Sequence, residues 1–428
     1  MNYFKTVQEL LLKNPRKNIF FLAFIIGITF WMIIPQSYKQ NESTDYDSFY
    51  KPVAENILYK RQLIDKEANL TYRYPPGFPV ILAGLFIISE TTNISKEHII
   101  FIFSVFCIGL SGILIFEISK LFFYESFAFL SSLIFVSYPL LLWTIKQPNS
   151  ESPFIPLLYT GVLFLIQELK KEKFAKSKIL LTGVFWGLAM LIRPIAIGLP
   201  FLISLVIIFF FKSFPIGQRL LISLLIISGS VLTISPWESL VYSNEKKIIL
   251  LSSSGGAGIF DGLTFNTVLK GYRVKHQYPA DVEQFMKEVS QKESLNSSPS
   301  KLISLVINKF KESPLTIIKL YIIKIFRAWY GTDSQRNEKI IIFIQSFFLF
   351  FIITGFIISW KNFKEERKYY LLLFSFVFYF WGMAVLVLSI VRYITPVLGL
   401  LIIFIPAIFL KLKKRNFINS YEDKTIDR

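Results

Sequence analysis

Residues 98–118 read HIIFIFSVFCIGLSGILIFEI, and positions 99–116 within them carry no charged side chain. A helix of about 18 residues rises roughly 27 Å, close to the hydrocarbon thickness of a bilayer. Comparable apolar runs fall at 18–36, 122–145, 153–168, 178–193, 194–211, 219–236, 339–360, 369–390 and 393–411. Water must cover the outside of a soluble domain, and a chain that is 53% hydrophobic has too little polar surface for that. Its 45 Phe residues suit a surface facing lipid. The pattern predicts an all-α polytopic membrane protein that crosses a bilayer about ten times.

The charge balance of +18 would suggest nucleic acid as a partner of a soluble protein. Here the Lys and Arg residues cluster in short connections between apolar runs, which reads instead as anchoring against anionic membrane lipids. One connection holds Lys170, Lys171, Lys173, Lys176 and Lys178; the others lie at 212–219, 361–368 and 411–415. All four fall in the cytoplasm if the ten runs cross and two doubtful stretches do not. The first, 78–89, is short for a span. The second, 314–330, is interrupted by Lys319, Lys324 and Arg327 and reads as interfacial. Lys13, Arg16 and Lys17 precede residues 19–34, which exceed a signal-peptide core and lack a small-x-small cleavage site. That predicts an uncleaved first span, with both termini in the cytoplasm and the protein in the cell membrane. The lone Cys107 excludes a disulfide within the chain. The two histidines, His98 and His276, are not at metal-ligand spacing.

This topology makes one domain of residues 1–428, without an internal repeat, and leaves two large polar segments outside, 37–76 and 237–314. The first contains Asp45-Tyr46-Asp47-Ser48-Phe49-Tyr50 and closes with Tyr72-Arg73-Tyr74-Pro75-Pro76-Gly77-Phe78-Pro79. A carboxylate can take a proton from a hydroxyl nucleophile, and a guanidinium can hold a phosphate bidentately. These groups therefore suit a reaction on a charged lipid at the membrane surface. The ordinary alternative is two solvated loop acids and an interfacial arginine.

The order Asp47-Ser48-Phe49-Tyr50, Ala54, Leu58 and then Tyr74-Pro75-Pro76-Gly77-Phe78-Pro79 resembles the start of the GT-C membrane glycosyltransferases. It is closest to family 39-like members, relatives of protein O-mannosyltransferases and aminoarabinose transferases acting on lipid A. Residues 183–194, GVFWGLAMLIRP, are similar to that family's G-x-x-x-G-x-x-x-L-x-R-P stretch, and Ser235-Pro236-Trp237 with Ser252 to Gly256 to its P-W and Gly-rich segments. The resemblance implies a GT-C-like bundle of about 10–12 transmembrane helices whose outer-face loops carry the active site. It implies Asp47 as catalytic base and Asp45 as a second acid. It implies donor or acceptor contacts from Tyr50, Arg73, Glu151, Arg193, Arg392 and Tyr393. No cofactor is required; a divalent metal on Asp45, Asp47 and Glu151 is compatible with the pattern. The implied partners are a polyprenyl-phosphate sugar donor, a lipid, glycan or protein acceptor, and membrane lipids, with no nucleic acid. Ser254 to Gly258 could cradle an anion with backbone amides or serve as a flexible loop.

Two other classes fit a many-span chain. A flippase or transporter would place ionisable groups near the bilayer midplane, and these apolar runs hold few, Glu117 among them. A polysaccharide polymerase or ligase would carry its key basic residues in large later loops.

Overall fold

The computed structural model describes residues 12–39, 45–67, 71–265, 278–292, 298–333, 335 and 337–410. Glu42 to Thr44, His276, parts of the two large polar segments and the tail from 411 lie outside them. The described residues are helical throughout, with short irregular connections. In chain order the helices are α1 (Pro15–Ile33), α2 (Lys51–Lys60), α3 (Gly77–Thr92), α4 (Lys96–Lys120), α5 (Glu125–Val136), α6 (Glu151–Leu169), α7 (Lys176–Ile192) and α8 (Leu199–Phe210). There follow α9 (Ile216–Glu245), α10 (Gly255–Thr264), α11 (Ala280–Ser290), α12 (Pro299–Glu312), α13 (Pro314–Arg327), α14 (Glu338–Asn362), α15 (Arg367–Leu386) and α16 (Thr395–Ile402).

Among the described residues six helices are long and apolar enough to cross a membrane: α1, α4, α6, α9, α14 and α15 with its preceding turn. The run at 122–145 is a broken pair, α5 and Pro139–Lys146, bent by 48°. Its cause is local: Pro139 disfavours the helical conformation in the residue before it, and Tyr138 is extended (φ −66°, ψ 121°). The run at 393–411 divides into a 3₁₀ turn at Val391–Tyr393, α16 and a 3₁₀ turn at Ile405–Phe409. The doubtful stretch 78–89 is the 16-residue α3. Its length, about 24 Å, falls short of a bilayer's hydrocarbon core. Helix α9 does not stop at Pro236 but continues to Glu245, so the second polar segment begins on a helix.

Apolar composition alone would leave these helices free to pack in many ways, because lipid tails are as apolar as leucine. Close backbone approach at glycines selects one arrangement. On α1 the buried residues Ile19, Ala23 and Gly27 form a single stripe. That stripe meets α4, where a Cβ at Gly109 would lie 2.9 Å from Phe20 and one at Gly112 would lie 3.1 Å from Ile19. The α7–α9 contact is tighter. Gly183 lies against the Ile226 carbonyl, Gly229 against the Leu180 carbonyl, and a Cβ on Gly187 would come within 2.6 Å of Thr233. The opposite faces keep Met32, Phe209, Leu232 and Phe343 exposed, as lipid contact requires.

The three basic connections among the described residues, at 170–178, 212–219 and 361–368, meet at one end of the bundle. Lys170 bonds Glu366 at 2.7 Å and the Leu121 carbonyl, Lys368 bonds Ser213, and Arg16 bonds Glu117. Helices α10 to α13 form a second cluster around Phe260, Leu263, Val282, Phe285, Leu302 and Leu320. Within it, Lys319 is exposed and paired to Asp281 at 3.0 Å, but Lys324 and Arg327 are buried. Two of the three charges that marked 314–330 as interfacial are therefore interior groups.

Two outcomes follow from this packing. Gly183→Val should destabilise the protein by about 1–3 kcal/mol, since the added atoms meet backbone rather than a movable side chain; a lowered melting temperature of the detergent-solubilised protein would register it. Burial pushes the Lys324 amine down to about 7. The unfolded chain then binds more protons between pH 7 and about 10.4, the usual lysine value. Stability should rise with pH across that window, and Lys324→Met should remove the rise in a melting series.

Candidate active site

At the end of the bundle away from the basic connections, the turn before α6 is fixed by Asn149. Its Oδ1 accepts the Ser152 amide at 3.2 Å and its Nδ2 donates to the Gln147 carbonyl at 3.0 Å. The turn delivers Glu151 to the first position of α6, fully buried. An anion at a helix N-terminus is favoured by the exposed backbone amides there. Two arginines converge on this carboxylate. Arg193 forms an ion pair with Oε1 through Nη1. Arg392 donates to Oε1 through Nε and to Oε2 through Nη2, the latter at 3.0 Å.

Each arginine is placed by its own sequence. Arg193 precedes Pro194, which holds it extended (φ −139°, ψ 112°) and ends α7. Its Nη1 also donates to Ser150 Oγ at 3.0 Å, and its guanidinium lies 5.5 Å from the Tyr393 ring centroid. Arg392 sits in the 3₁₀ turn before α16. Burial opposes its charge, but Glu151 outweighs burial and Asp333 adds to Glu151, so its guanidinium is held charged more firmly than usual. Arg193 is nearly enclosed, whereas 33% of the Arg392 side chain is exposed.

The first polar segment closes over this group. Residues Tyr46–Tyr50 form a π-helical turn that runs directly into α2. Tyr50 is buried, its ring 5.1 Å from Tyr74 and 5.0 Å from Phe78. The Tyr74 hydroxyl donates to Asp45 Oδ1 at 3.0 Å. Burial, and after it Asp45, pushes the hydroxyls of both Tyr50 and Tyr74 well above the usual tyrosine range, so both stay protonated and able to donate. The Tyr50 hydroxyl lies within electrostatic reach of Arg193, Arg392 and Glu151. It joins the first segment to the ion cluster. Arg73, exposed, lies over Tyr74 at 5.8 Å.

The structure thus brings together Asp45, Tyr50, Glu151, Arg193, Arg392 and Tyr393, with Arg73 at the rim. Asp47 stands apart from Asp45. On a helical turn residues two apart face away from each other; Asp45 is half-buried and Asp47 exposed. Glu151 already has guanidinium groups on both oxygens. The compatible metal arrangement of Asp45, Asp47 and Glu151 is therefore not assembled, and among the described residues no three His, Cys, Asp or Glu side chains gather to hold a metal ion. Residues Gly255 and Gly256 begin α10 rather than a loop. Gly258 and Gly262 face Val387, where a Cβ on Gly258 would lie 2.7 Å from its side chain; that is helix packing.

Two members escaped the sequence reading. Tyr74 carried no role there, although its place before Pro75-Pro76 holds it rigidly. Asp333, which acts on both Arg392 and Tyr393, had no local signal; only the fold brings residue 333 to residue 392.

Glu151→Gln should destabilise the protein by about 3–5 kcal/mol, because it strands two arginine charges around a site that lost its counter-ion. A thermal melt measures this, and Glu151→Asp should recover only part of the loss since the shorter acid cannot span both guanidinium groups.

The family model described as dolichyl-phosphate-mannose-protein mannosyltransferase matches residues 74–235, less than half of the chain. The matched stretch contains Tyr74, Glu151 and Arg193 and ends before Arg392. No curated protein matches the chain. With its helices long enough to cross a membrane, this match supports the resemblance of the sequence motifs to the GT-C membrane glycosyltransferases.

Proposed function

We propose that the protein transfers a sugar from a polyprenyl-phosphate donor to an acceptor hydroxyl at the outer face of the cell membrane, with inversion. The observation that carries this reading is the pair of arginines gathered on one buried carboxylate. Arg193 and Arg392 both pair with Glu151, Asp333 acts on Arg392 as well, and Arg392 remains partly exposed. Its Nη1 makes no hydrogen bond among the described residues, so it can donate to a phosphate oxygen.

The chemistry is a single displacement. As the acceptor oxygen bonds to the anomeric carbon, the bond from that carbon to the phosphate oxygen breaks and its electron pair leaves with the lipid phosphate. Negative charge grows on the phosphate, where donors fixed in advance stabilise it without reorganisation. Arg392 and Arg193 are so fixed by Glu151, and Arg73 approaches from the rim. The acceptor proton goes to Asp47, an exposed residue of the π turn. Asp45 takes a different part, holding the Tyr74 hydroxyl and through it the aromatic wall of Tyr50 and Phe78. The acceptor is a lipid, glycan or protein hydroxyl.

The basic connections at the opposite end would face the cytoplasm, in keeping with the positive-inside rule, with the site on the outer side.

Transfer of labelled sugar from a polyprenyl-phosphate donor in proteoliposomes tests the assignment. Asp47→Asn should insert and melt normally yet lose transfer by about 10²–10⁴-fold, the usual worth of a general base. Near-normal transfer in that variant would sink the choice of base. Asp45→Asn should be milder, since an amide oxygen still accepts the Tyr74 hydroxyl. Arg73→Ala should raise the donor KM more than it lowers the melting temperature.

A further inference from the structure

The stretch 387–391 links the end of α15 to the turn that carries Arg392, and it is irregular: Val387 sits at φ −97°, ψ −90°. Its bonds back to α15 are the Val387 amide to the Met383 carbonyl at 2.9 Å and the Ser389 hydroxyl to the Ala384 carbonyl at 3.2 Å. Across the bundle it is held from α13 and the turn after it, at alternate residues. Lys324 Nζ donates to the Val387 carbonyl at 3.3 Å. Arg327 Nη1 donates to the Ser389 carbonyl at 3.3 Å. The Val391 amide donates to the Gly331 carbonyl at 2.9 Å. The next residue is Arg392.

The anchor is itself anchored. Arg327 Nη2 bonds Glu338 Oε1 at 2.8 Å and the Thr332 carbonyl at 3.0 Å, and the same Glu338 oxygen accepts the Thr332 amide at 2.8 Å. Both side chains of the pair are 2% exposed. The guanidinium also lies 4.9 Å from the Phe265 ring. Gly331 is confined between the pair and the stretch: a Cβ there would come within 2.6 Å of the Ser389 carbonyl. One buried ion pair thus locks the start of α14, the 331–333 turn and the 387–391 stretch into one unit. That turn also brings Asp333 to Arg392.

Buried ion pairs are poor sources of stability, since desolvation cancels most of their attraction, and apolar replacements are often no worse. Their worth lies in direction: a planar guanidinium held by three separate acceptors, Glu338 and the Thr332 and Ser389 carbonyls, tolerates little displacement. We infer that Arg327 and Glu338, with Lys324, are positioning residues for Arg392, setting the guanidinium edge that receives the donor phosphate. This rests on the proposed donor reading of the site. None of the three touches Glu151 or the reacting atoms. They act through the backbone of 387–391.

The test is a double-mutant cycle on the full chain in proteoliposomes, reading donor KM, acceptor KM, kcat and melting temperature. The paired replacement Arg327→Met with Glu338→Leu removes the lock while leaving no buried charge unpaired. It should raise the donor KM about tenfold, with acceptor KM unchanged and the melting temperature within a few degrees of the parent. Combined with Arg392→Ala, it should add nothing further to the donor KM. Lys324→Met removes one anchor alone and should move the donor KM in the same direction by less; it serves if the paired variant does not fold. An effect that adds fully to that of Arg392→Ala overturns the inference, because the pair would then act elsewhere. So does an unchanged donor KM in a folded variant whose Arg392→Ala counterpart is impaired, an outcome that leaves the donor reading standing. If Arg392→Ala itself leaves the donor KM unchanged, the donor reading fails and the inference with it.

Discussion

The carboxylate of Glu151 is the point at which α6, the end of α7 and the turn before α16 are tied together. In a membrane bundle the apolar faces do not choose strongly among packings, because lipid satisfies them as well as another helix does. A carboxylate held in a low-dielectric interior by two guanidinium groups does choose. Its attraction to each arginine is strong there, and any arrangement that separates them leaves charge buried without a partner. The glycine contacts of α7 with α9 allow close approach; the ion cluster determines which helix ends must meet.

That constraint also accounts for the separation of the two ends of the bundle. Cationic connections with Glu168 and Glu366 among them occupy one end, and the buried cluster with its aromatic wall the other. The first polar segment is not a loose loop above the cluster. Its π turn and α2 pack Phe49, Tyr50 and Val53 inward, and the hydrogen bond from Tyr74 to Asp45 closes it. The backbone amide of Ser253 donates to the Tyr72 carbonyl at 2.9 Å, so the start of the second polar segment is fastened to the first.

Much of this was legible in the sequence. The apolar runs give the helices, because hydropathy over about 18 residues measures what a bilayer demands. Arg193-Pro194 gave the end of α7 correctly, since proline acts on its predecessor by local sterics. Glu151, Arg193, Arg392 and Tyr50 stand out at separate places in the chain and meet in space. What was not legible depends on contacts across long separations. Lys324 and Arg327 look like snorkelling cations on an amphipathic helix until the stretch 387–391 is laid against them. Asp333 is an ordinary turn acid until the fold presents it to Arg392. The glycines after Ser254 invite an anion-binding reading, yet Gly258 and Gly262 serve the approach of Val387, a residue more than a hundred positions later.

The pair Asp45 and Asp47 is the instructive case. In an extended loop, two acids separated by one residue point to the same side and can reach one ligand together. On a helical turn they cannot. Asp45 caps the π turn in a helical conformation (φ −68°, ψ −38°) and Asp47 lies within it, so the angle between them is fixed by the backbone. Asp45 meets the Tyr74 hydroxyl and is half-buried, whereas Asp47 is exposed. A shared metal would need both to turn the same way, which would unwind the turn and expose Tyr46, Phe49 and Tyr50, all now buried. Burying those three aromatics, at about 1.5–3 kcal/mol for a fully buried phenylalanine-sized side chain, outweighs what a solvent-exposed acid gains by swinging inward. The different settings of the two acids are therefore a consequence of the aromatic residues that surround them.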